Sequence, residues 1–459
     1  MYEFNEARNQ KVFSLSSVFP ILPTTNFNFF KHYVKLPLLG LPTLGSILKE
    51  RGHEVEIYNE GYSSIDLREI KADIVGVSAL TPTALRGYEI LDLFRGKGVR
   101  TMIGGPHATF MPQEALEHAD YVCVGEGENS VVDIVEGNVE KGIVGKREVE
   151  YEKTPIPDLS LIVNRPRKKG ILSKIVNTST YPIATSRGCP YDCSFCSVTK
   201  MYGRNYRMLS LERVLEDIDK SGERNFFFYD DNFAKNKQQA AQLFEELKKR
   251  KIKWSAQVDV HIADDEHFLS LMKESGCNYL YIGFESVNDK TLKSYGKHQD
   301  RGDIEKCAKR LHKHNIRKHG MFVFGSDEDK PETVEDTVRF CRKNNIESVQ
   351  FLVLTPLPGT KDYQELGDRV VIKDWNLYDG HHAVFSPKNF TREQLQELAI
   401  KGMEKFYSWG RDLKMFVRGT YNSLMAVNYA DVSSNAKNTF YNFVNSVAAR
   451  KIIKKWDGC

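Results

Sequence analysis

Thr185-Ser186-Arg187-Gly188-Cys189-Pro190-Tyr191-Asp192-Cys193-Ser194-Phe195-Cys196 is the stretch on which the reading of this 459-residue chain turns. Its CxxxCxxC spacing gathers three soft thiolates in one short loop, and such sulfurs suit iron and zinc. A closed structural zinc site takes four protein ligands, commonly as two separated pairs, and no second pair lies nearby. Three thiolates leave one iron of a four-iron, four-sulfur cubane without a protein ligand, so a small molecule can bind that iron directly. The competing readings are a zinc knuckle or three buried thiols.

The remaining cysteines do not extend the site. Cys307 shares a helical face with Ile304, Ala308 and Leu311, and Cys341 follows Val334 and Val338, so both read as small core residues. Cys123 and Cys277 sit in or beside strand-like runs, and Cys459 ends the chain. Eight cysteines in 459 residues do not make a secreted disulfide framework, which implies a reducing, cytoplasmic compartment. Nothing at the N-terminus reads as a signal peptide, and no apolar run is long enough to span a bilayer. The length is enough for two or three domains with substantial cores.

Downstream of Cys196 strands and helices alternate. Strands are expected at 181–184, 225–229, 254–258, 279–284, 319–325 and 348–354, and helices at 211–220, 237–250, 266–274, 304–314 and 331–343. With this rhythm the cysteine run resembles the signature of the radical S-adenosylmethionine (SAM) enzymes, and the repeats resemble their partial (β/α)6 barrel. The aromatic Phe195 before the last cysteine also fits. The resemblance implies that Cys189, Cys193 and Cys196 hold a [4Fe-4S] cluster whose open iron chelates the amino and carboxylate groups of SAM, and that one electron cleaves SAM to a 5′-deoxyadenosyl radical. Sites of parallel barrels form at the carboxyl ends of the strands. Strand two ends in Phe228-Tyr-Asp230-Asp231-Asn232, similar to the element that receives the SAM amino group, and one carboxylate is expected to be functional and the other structural. Gln257 on strand three and Glu285 at the end of strand four are the further SAM contacts implied.

The first 145 residues also alternate: strands at 11–18, 54–58, 74–78, 101–103 and 121–124, and helices at 41–50 and 85–95. This predicts an α/β, doubly wound, Rossmann-like sheet that binds a ligand at its strand ends. Small residues cluster there, in Ser78-Ala-Leu80-Thr81, Gly104-Gly105-Pro-His107 and Gly125-Glu126-Gly-Glu128, and glycine lets a bulky ligand approach the backbone. Together with Pro37-Leu-Leu-Gly-Leu-Pro42 and Arg51-Gly-His-Glu-Val55, these segments resemble the cobalamin-binding domain that precedes the radical core in the B12-dependent radical SAM subfamily. The chain lacks the Asp-x-His-x-x-Gly run whose histidine ligates cobalt; its one Asp-x-His, Asp259 to His261, lies elsewhere. The resemblance therefore implies cobalamin held base-off without a histidine ligand, near Ser78, Leu80, Thr81, Gly104, Gly105, Gly125 and Glu126, with His107 a hydrogen-bonding residue of the loop. A domain that kept the fold and lost the cofactor is the alternative.

The expected organisation is thus a cobalamin-binding-like domain over 1–145, a linker over 146–180, a radical SAM core over 181–375 and a mainly helical C-terminal domain over 376–459. The linker carries a basic stretch, Arg165-Pro-Arg-Lys-Lys-Gly170, that reads as solvated linker rather than a nucleic-acid contact. In the C-terminal domain Thr391-Arg-Glu-Gln394 reads as a capping box, and Asp379-Gly-His381-His382 with Phe406-Tyr-Ser408 resembles a pattern of B12-type enzymes acting on hydrophobic substrates. From Asn376 onward twelve Lys/Arg stand against seven Asp/Glu, which accounts for the whole-chain charge of +4. The stripe Phe440, Phe443, Val444 and Val447 with its basic end makes a peripheral membrane contact one reading and packing on the chain's own core the other.

The leading functional expectation is cobalamin-dependent methylation of an unactivated carbon of a hydrophobic or natural-product substrate, a small-molecule or lipid-like compound. An electron donor such as flavodoxin or ferredoxin is the implied partner, and no nucleic acid is expected. The alternatives are radical cyclisation, carbon-carbon coupling or rearrangement without methyl transfer, and a non-catalytic cobalamin or redox sensor. RNA methylthiotransferases share the core motif but carry a second cluster with three more cysteines, and only Cys123 precedes Cys189.

Overall fold

The structure, a computed structural model, describes residues 11–16, 36–145, 149–165 and 180–424, with single positions near the C-terminus. The basic stretch 166–170, and Phe440 and Val444 of the C-terminal stripe, lie outside the described residues. Its described residues form two compact units, the first running to Phe233 and including Pro356–Asp379, the second comprising Ala234–Thr355 and the chain from Gly380 on.

The first unit contains a six-stranded sheet in the order β2-β1-β3-β4-β5-β6. The strands are β1 (Lys11–Ser16), β2 (Glu54–Asn59), β3 (Ile74–Ser78), β4 (Arg100–Gly104), β5 (Tyr121–Cys123) and β6 (Gly142–Val144), and every pair is parallel. The order reverses between β1 and β3, which opens a crevice at the carboxyl ends of the strands. Helices Gly40–Glu50, Ala84–Gly96 and Glu128–Val135 accompany the sheet. Central β3 reads Ile-Val-Gly-Val-Ser and its first four residues are buried, as a strand covered on both faces requires. Each fully buried aliphatic side chain there contributes roughly 1.5–3 kcal/mol. Two elements escape a reading by periodicity: β6 has three residues, and the helix after Gly127 begins inside a glycine-rich run.

A buried polar hub ties segment 356–379 to this sheet. Oε1 of Glu114 accepts from Tyr88 Oη at 3.0 Å and Trp375 Nε1 at 2.9 Å, and lies 3.3 Å from His107 Nε2. Trp375 stands edge-on to the His107 ring at 5.1 Å between centroids.

The same unit holds the start of the second βα series. β7 (Tyr181–Ile183) leads to a short antiparallel pair, β8 (Ser186–Arg187) with β9 (Arg207–Met208), and β10 (Asn225–Phe228) lies parallel to β7. The second unit continues the series with β11 (Lys253–Val258), β12 (Cys277–Glu285), β13 (Arg317–Phe324) and β14 (Ser348–Val353), neighbours in chain order and parallel throughout. Six strands thus alternate with helices, close to the positions expected from the sequence.

Local chemistry explains why the helices start where they do. Ser210, Asn236, Asp265 and Asp300 each accept a hydrogen bond from the first turn of the helix that follows. Replacing such a cap by alanine typically costs about 1 kcal/mol. Thr391 and Gln394 form the expected capping box at the head of Arg392–Phe406. Cys277, Cys307 and Cys341 are buried, as their apolar settings imply.

Candidate cluster and cofactor site

The cysteine loop runs from the end of β8 to the helix Val198–Tyr202. Gly188 has φ +91°, and a Cβ there would lie 2.7 Å from the Asn205 carbonyl oxygen, so only glycine fits before Cys189. Its N–H donates to Asp231 Oδ2 at 3.0 Å. The Cys196 N–H donates to the Cys193 carbonyl at 3.1 Å, a turn that brings the last two cysteines round. From the far side, Asp362 N–H donates to the Ser194 carbonyl at 3.1 Å and Lys361 pairs with Asp192 at 3.0 Å. Phe195 is half-buried within this turn.

The three thiols feel one another. Burial pushes the Cys196 thiol up to about 12, the Val198 N–H opposes this, and Cys193, Cys189 and Asp231 push it higher still. Thiolates so placed need a cationic group to bring them down. Among the described residues no three His, Cys, Asp or Glu side chains are grouped to hold a single metal ion. A cubane does not ask for that, because each of its ligated irons takes its own sulfur. Three soft sulfurs in one loop fit the ligand set of an iron-sulfur cluster.

Asp230 and Asp231 take different surroundings. Asp230 is buried and accepts from Thr185 N at 3.1 Å, Thr185 Oγ1 at 2.8 Å and Ser186 Oγ, so its oxygens are used in joining β7 and β8 to β10. Burial pushes its carboxyl up to about 6 against those bonds. Asp231 accepts the Gly188 N–H, and its charge reaches Cys196. Asn232, next in sequence, places Nδ2 4.0 Å from Cys189 Sγ.

In the second unit, Gln257 is exposed on β11. Glu285 ends β12 with φ +60°, a left-handed conformation that costs a non-glycine residue of order 1 kcal/mol or more. Its carboxylate is held by Lys297 Nζ at 3.0 Å. Gly283 makes room for it, since a Cβ there would sit 2.5 Å from Glu285 Oε1. Lys297 carries no periodic signal, and sequence reasoning did not single it out.

The carboxyl ends of β3, β4 and β5 open on a cavity that encloses about 180 Å³ behind a wide mouth. Leu44, Leu48, Val55, Met102 and Val131 make an apolar wall, and Gly45, Gly76, Gly104 and Gly127 thin the backbone around it. A Cβ on Gly76 would meet Met102 at 2.8 Å, and one on Gly45 would meet Leu161 at 2.7 Å. Of the residues expected from the sequence, Ser78, Gly104, Gly105, Gly125 and Glu126 line the cavity. Leu80, Thr81 and His107 are not among the lining residues; Thr81 and His107 are buried, with His107 Nδ1 3.4 Å from Thr81 Oγ1. Burial lowers the His107 pKa, which keeps the ring neutral within its hub. Glycines at the strand ends and an apolar wall would let a bulky, flat cofactor such as cobalamin approach the backbone here. The polar rim, Glu126, Glu128, Arg187 and Tyr202, was quoted in the sequence only in part, and Arg187 was given no role.

Comparison with known proteins agrees with this geometry. Residues 183–341 match the radical SAM superfamily and residues 22–135 match the B12 binding domain. The bacteriochlorophyllide d C-12(1)-methyltransferase of Chlorobaculum tepidum is 32% identical over 368 residues, 78% of this chain and 79% of the relative. The bacteriochlorophyllide d C-8(2)-methyltransferase of the same organism is 28% identical over 402 residues, 82% of this chain and 86% of the relative. The fold also matches the radical SAM methyltransferase TsrM of Kitasatospora setae, solved with cobalamin and a [4Fe-4S] cluster, at a TM-score of 0.66 and 15% identity, covering 96% of this chain and all of that one.

Two predictions follow from the geometry. Cys193→Ala is expected to abolish binding of a four-iron cluster after anaerobic reconstitution, together with reductive formation of 5′-deoxyadenosine; unaltered iron content and cleavage rate would show that the loop is not the cluster site. Gly104→Trp is expected to exclude cobalamin while the protein still folds, because a Cβ there meets Cys123 Cβ at an ordinary 3.5 Å. Gly105 is a poor probe: it has φ +93°, and a Cβ would lie 2.8 Å from the Ala79 carbonyl oxygen. Absorbance of bound cobalamin after gel filtration reads the result, and full retention by the tryptophan variant would place the cofactor elsewhere.

Proposed function

The chain belongs to the radical SAM enzymes that carry a B12-binding domain, and we propose that it methylates an unactivated carbon of a large, mainly apolar small molecule. The observation that carries the proposal is the glycine-edged apolar cavity in the same compact unit as the three-cysteine loop. When bound, the [4Fe-4S] cluster supplies the electron that cleaves SAM to a 5′-deoxyadenosyl radical, and cobalamin supplies the methyl group. In this reading Cys189, Cys193 and Cys196 hold the cluster and Phe195 packs beside it. Asp231 receives the SAM amino group, while Asp230 keeps β7, β8 and β10 in place. Gln257 and Glu285, the latter fixed by Lys297, contact the rest of SAM. Gly104, Gly105, Gly125, Ser78 and Glu126 border the corrin, and Leu80, Thr81 and His107 support the loops behind them. The electron comes from a low-potential carrier such as flavodoxin or ferredoxin in a reducing, cytoplasmic setting.

The substrate class is drawn by analogy with the two relatives named for methylation of bacteriochlorophyllide d. Anaerobic incubation with methyl-deuterated SAM, a reductant and an extract of apolar metabolites is the test. The expected product is heavier than its precursor by one labelled methyl in place of hydrogen, with 5′-deoxyadenosine formed alongside. A product that has lost hydrogens and carries no label would replace methylation by cyclisation or coupling.

A lipid-like substrate raises the question of a membrane contact. Among the described residues no helix is long and apolar enough to cross a membrane. Helix Trp409–Leu424, however, exposes Trp409, Leu413, Phe416 and Val417, each 59–65% accessible and spaced to share one face. The region's excess of basic residues favours an anionic surface. The chain is expected to co-sediment with vesicles of anionic phospholipid at low salt, and Trp409→Ser/Phe416→Ser to lose most of this binding. Equal behaviour of the two proteins would rule the helix out as the contact.

A further inference from the structure

Arg187 ends β8, one residue before Gly188 and two before Cys189. Its guanidinium is buried to 17% exposure between two carboxylates, pairing with Glu126 and, at 2.7 Å, with Glu128. The Tyr151 and Tyr202 rings lie 4.4 and 5.6 Å from it. Glu126 also takes Arg207 Nη2 at 2.9 Å, and Arg207 is the residue opposite Arg187 in the β8–β9 pair. Glu126 and Glu128 come from the loop after β5 and the first turn of Glu128–Val135. Glu126, Glu128, Arg187 and Tyr202 all line the cavity assigned to cobalamin. One wall of that cavity is therefore the stem of the cysteine loop.

A buried cluster of two carboxylates and two guanidinium groups is a poor choice for stability alone, because apolar side chains of similar volume commonly do as well. Its distinctive property is direction. Both carboxylates meet the same guanidinium nitrogen, Nη1, which draws Glu126 and Glu128 onto one point, and the Gly188 link beyond it is pinned by its φ of +91° and by Asp231. A shift of Arg187 thus has no slack in which to die out before Cys189.

Resting on the cofactor assignments above, we propose that Arg187 is a positioning residue that couples the two cofactor sites. Cobalamin in the cavity fixes the Glu126–Arg187–Glu128 wall and so steadies the cluster loop, and by linkage the cluster tightens cobalamin binding by the same factor.

The test uses the reconstituted full chain with and without hydroxocobalamin. Two quantities are read: the rate at which an iron chelator bleaches the cluster, and the cobalamin dissociation constant with and without the cluster. In the wild-type protein cobalamin is expected to slow cluster loss, and the cluster to lower the cobalamin dissociation constant by about 5-fold or more. Arg187→Gln is expected to bring both ratios close to one. A merely structural arginine would speed cluster loss equally with and without cobalamin and leave the ratios unchanged, which overturns the proposal. Glu128→Gln, which removes one arm and keeps the other, is expected to give intermediate ratios and serves if Arg187→Gln does not fold. Wild-type protein that holds both cofactors yet shows ratios of one refutes the coupling and leaves the functional reading standing. Protein that never retains cobalamin refutes both.

Discussion

The peptide Ser186-Arg187-Gly188-Cys189 is the constraint on which the first unit depends. Each of its members is claimed by a different part of the structure: Ser186 by Asp230, Arg187 by Glu126 and Glu128, and Gly188 by Asp231. The cysteine that follows inherits a position set by four carboxylates drawn from two separate strand ends. This suits a loop whose last thiol, that of Cys196, resists ionisation when left to itself. Burial and mutual repulsion raise the Cys196 thiol to about 12, so the backbone must be held in place by groups other than the sulfurs until a cationic cluster arrives.

Much of the fold is legible because parallel sheets write strong signals. A central strand such as Ile74–Ser78 is apolar on both faces, and the helices of the second series carry caps at the residues where the apolar period begins. What periodicity misses is short or made of special backbone. β6 spans three residues, β8 and β9 two each, and none is long enough to alternate. The site follows the same division. Three cysteines in eight residues announce themselves, whereas the groups that hold the site are scattered: Arg187 meets residues 61 positions away at Glu126, and Lys297 reaches back 12 to Glu285. Pairings of that kind leave no periodic trace.

The paired aspartates show how chemistry separates neighbours that sequence cannot rank. Asp230 has its oxygens taken by Thr185 and Ser186, and burial without a cation raises its carboxyl to about 6. Asp231 spends one oxygen on a backbone N–H and lies in the field of Arg187. Burial raises the Asp231 carboxyl as well, with the Gly188 N–H and the Arg187 charge opposing the rise; what separates the pair is that Thr185 and Ser186 take up the oxygens of Asp230, whereas Asp231 accepts at Oδ2. Glu285 shows the related device of strain: its left-handed backbone turns the side chain into space that Gly283 leaves open, where Lys297 fixes it. Such strain persists where the surroundings over-determine it, and it tends to collect at functional sites.

The same reasoning applies to the missing cobalt-ligand motif. His107 is the histidine nearest the expected loop, yet its Nε2 lies beside the Glu114 oxygen that also takes Tyr88 and Trp375, and its Nδ1 lies beside Thr81. Freeing it as a ligand would leave Glu114 short of a partner and open a packed ring contact with Trp375. An unmet buried hydrogen bond costs about 1–3 kcal/mol, so the hub holds the imidazole against such a move. His107 thus serves the architecture of the domain, and cobalamin held in the cavity would meet an apolar wall, glycine-thinned strand ends and a rim of buried charge.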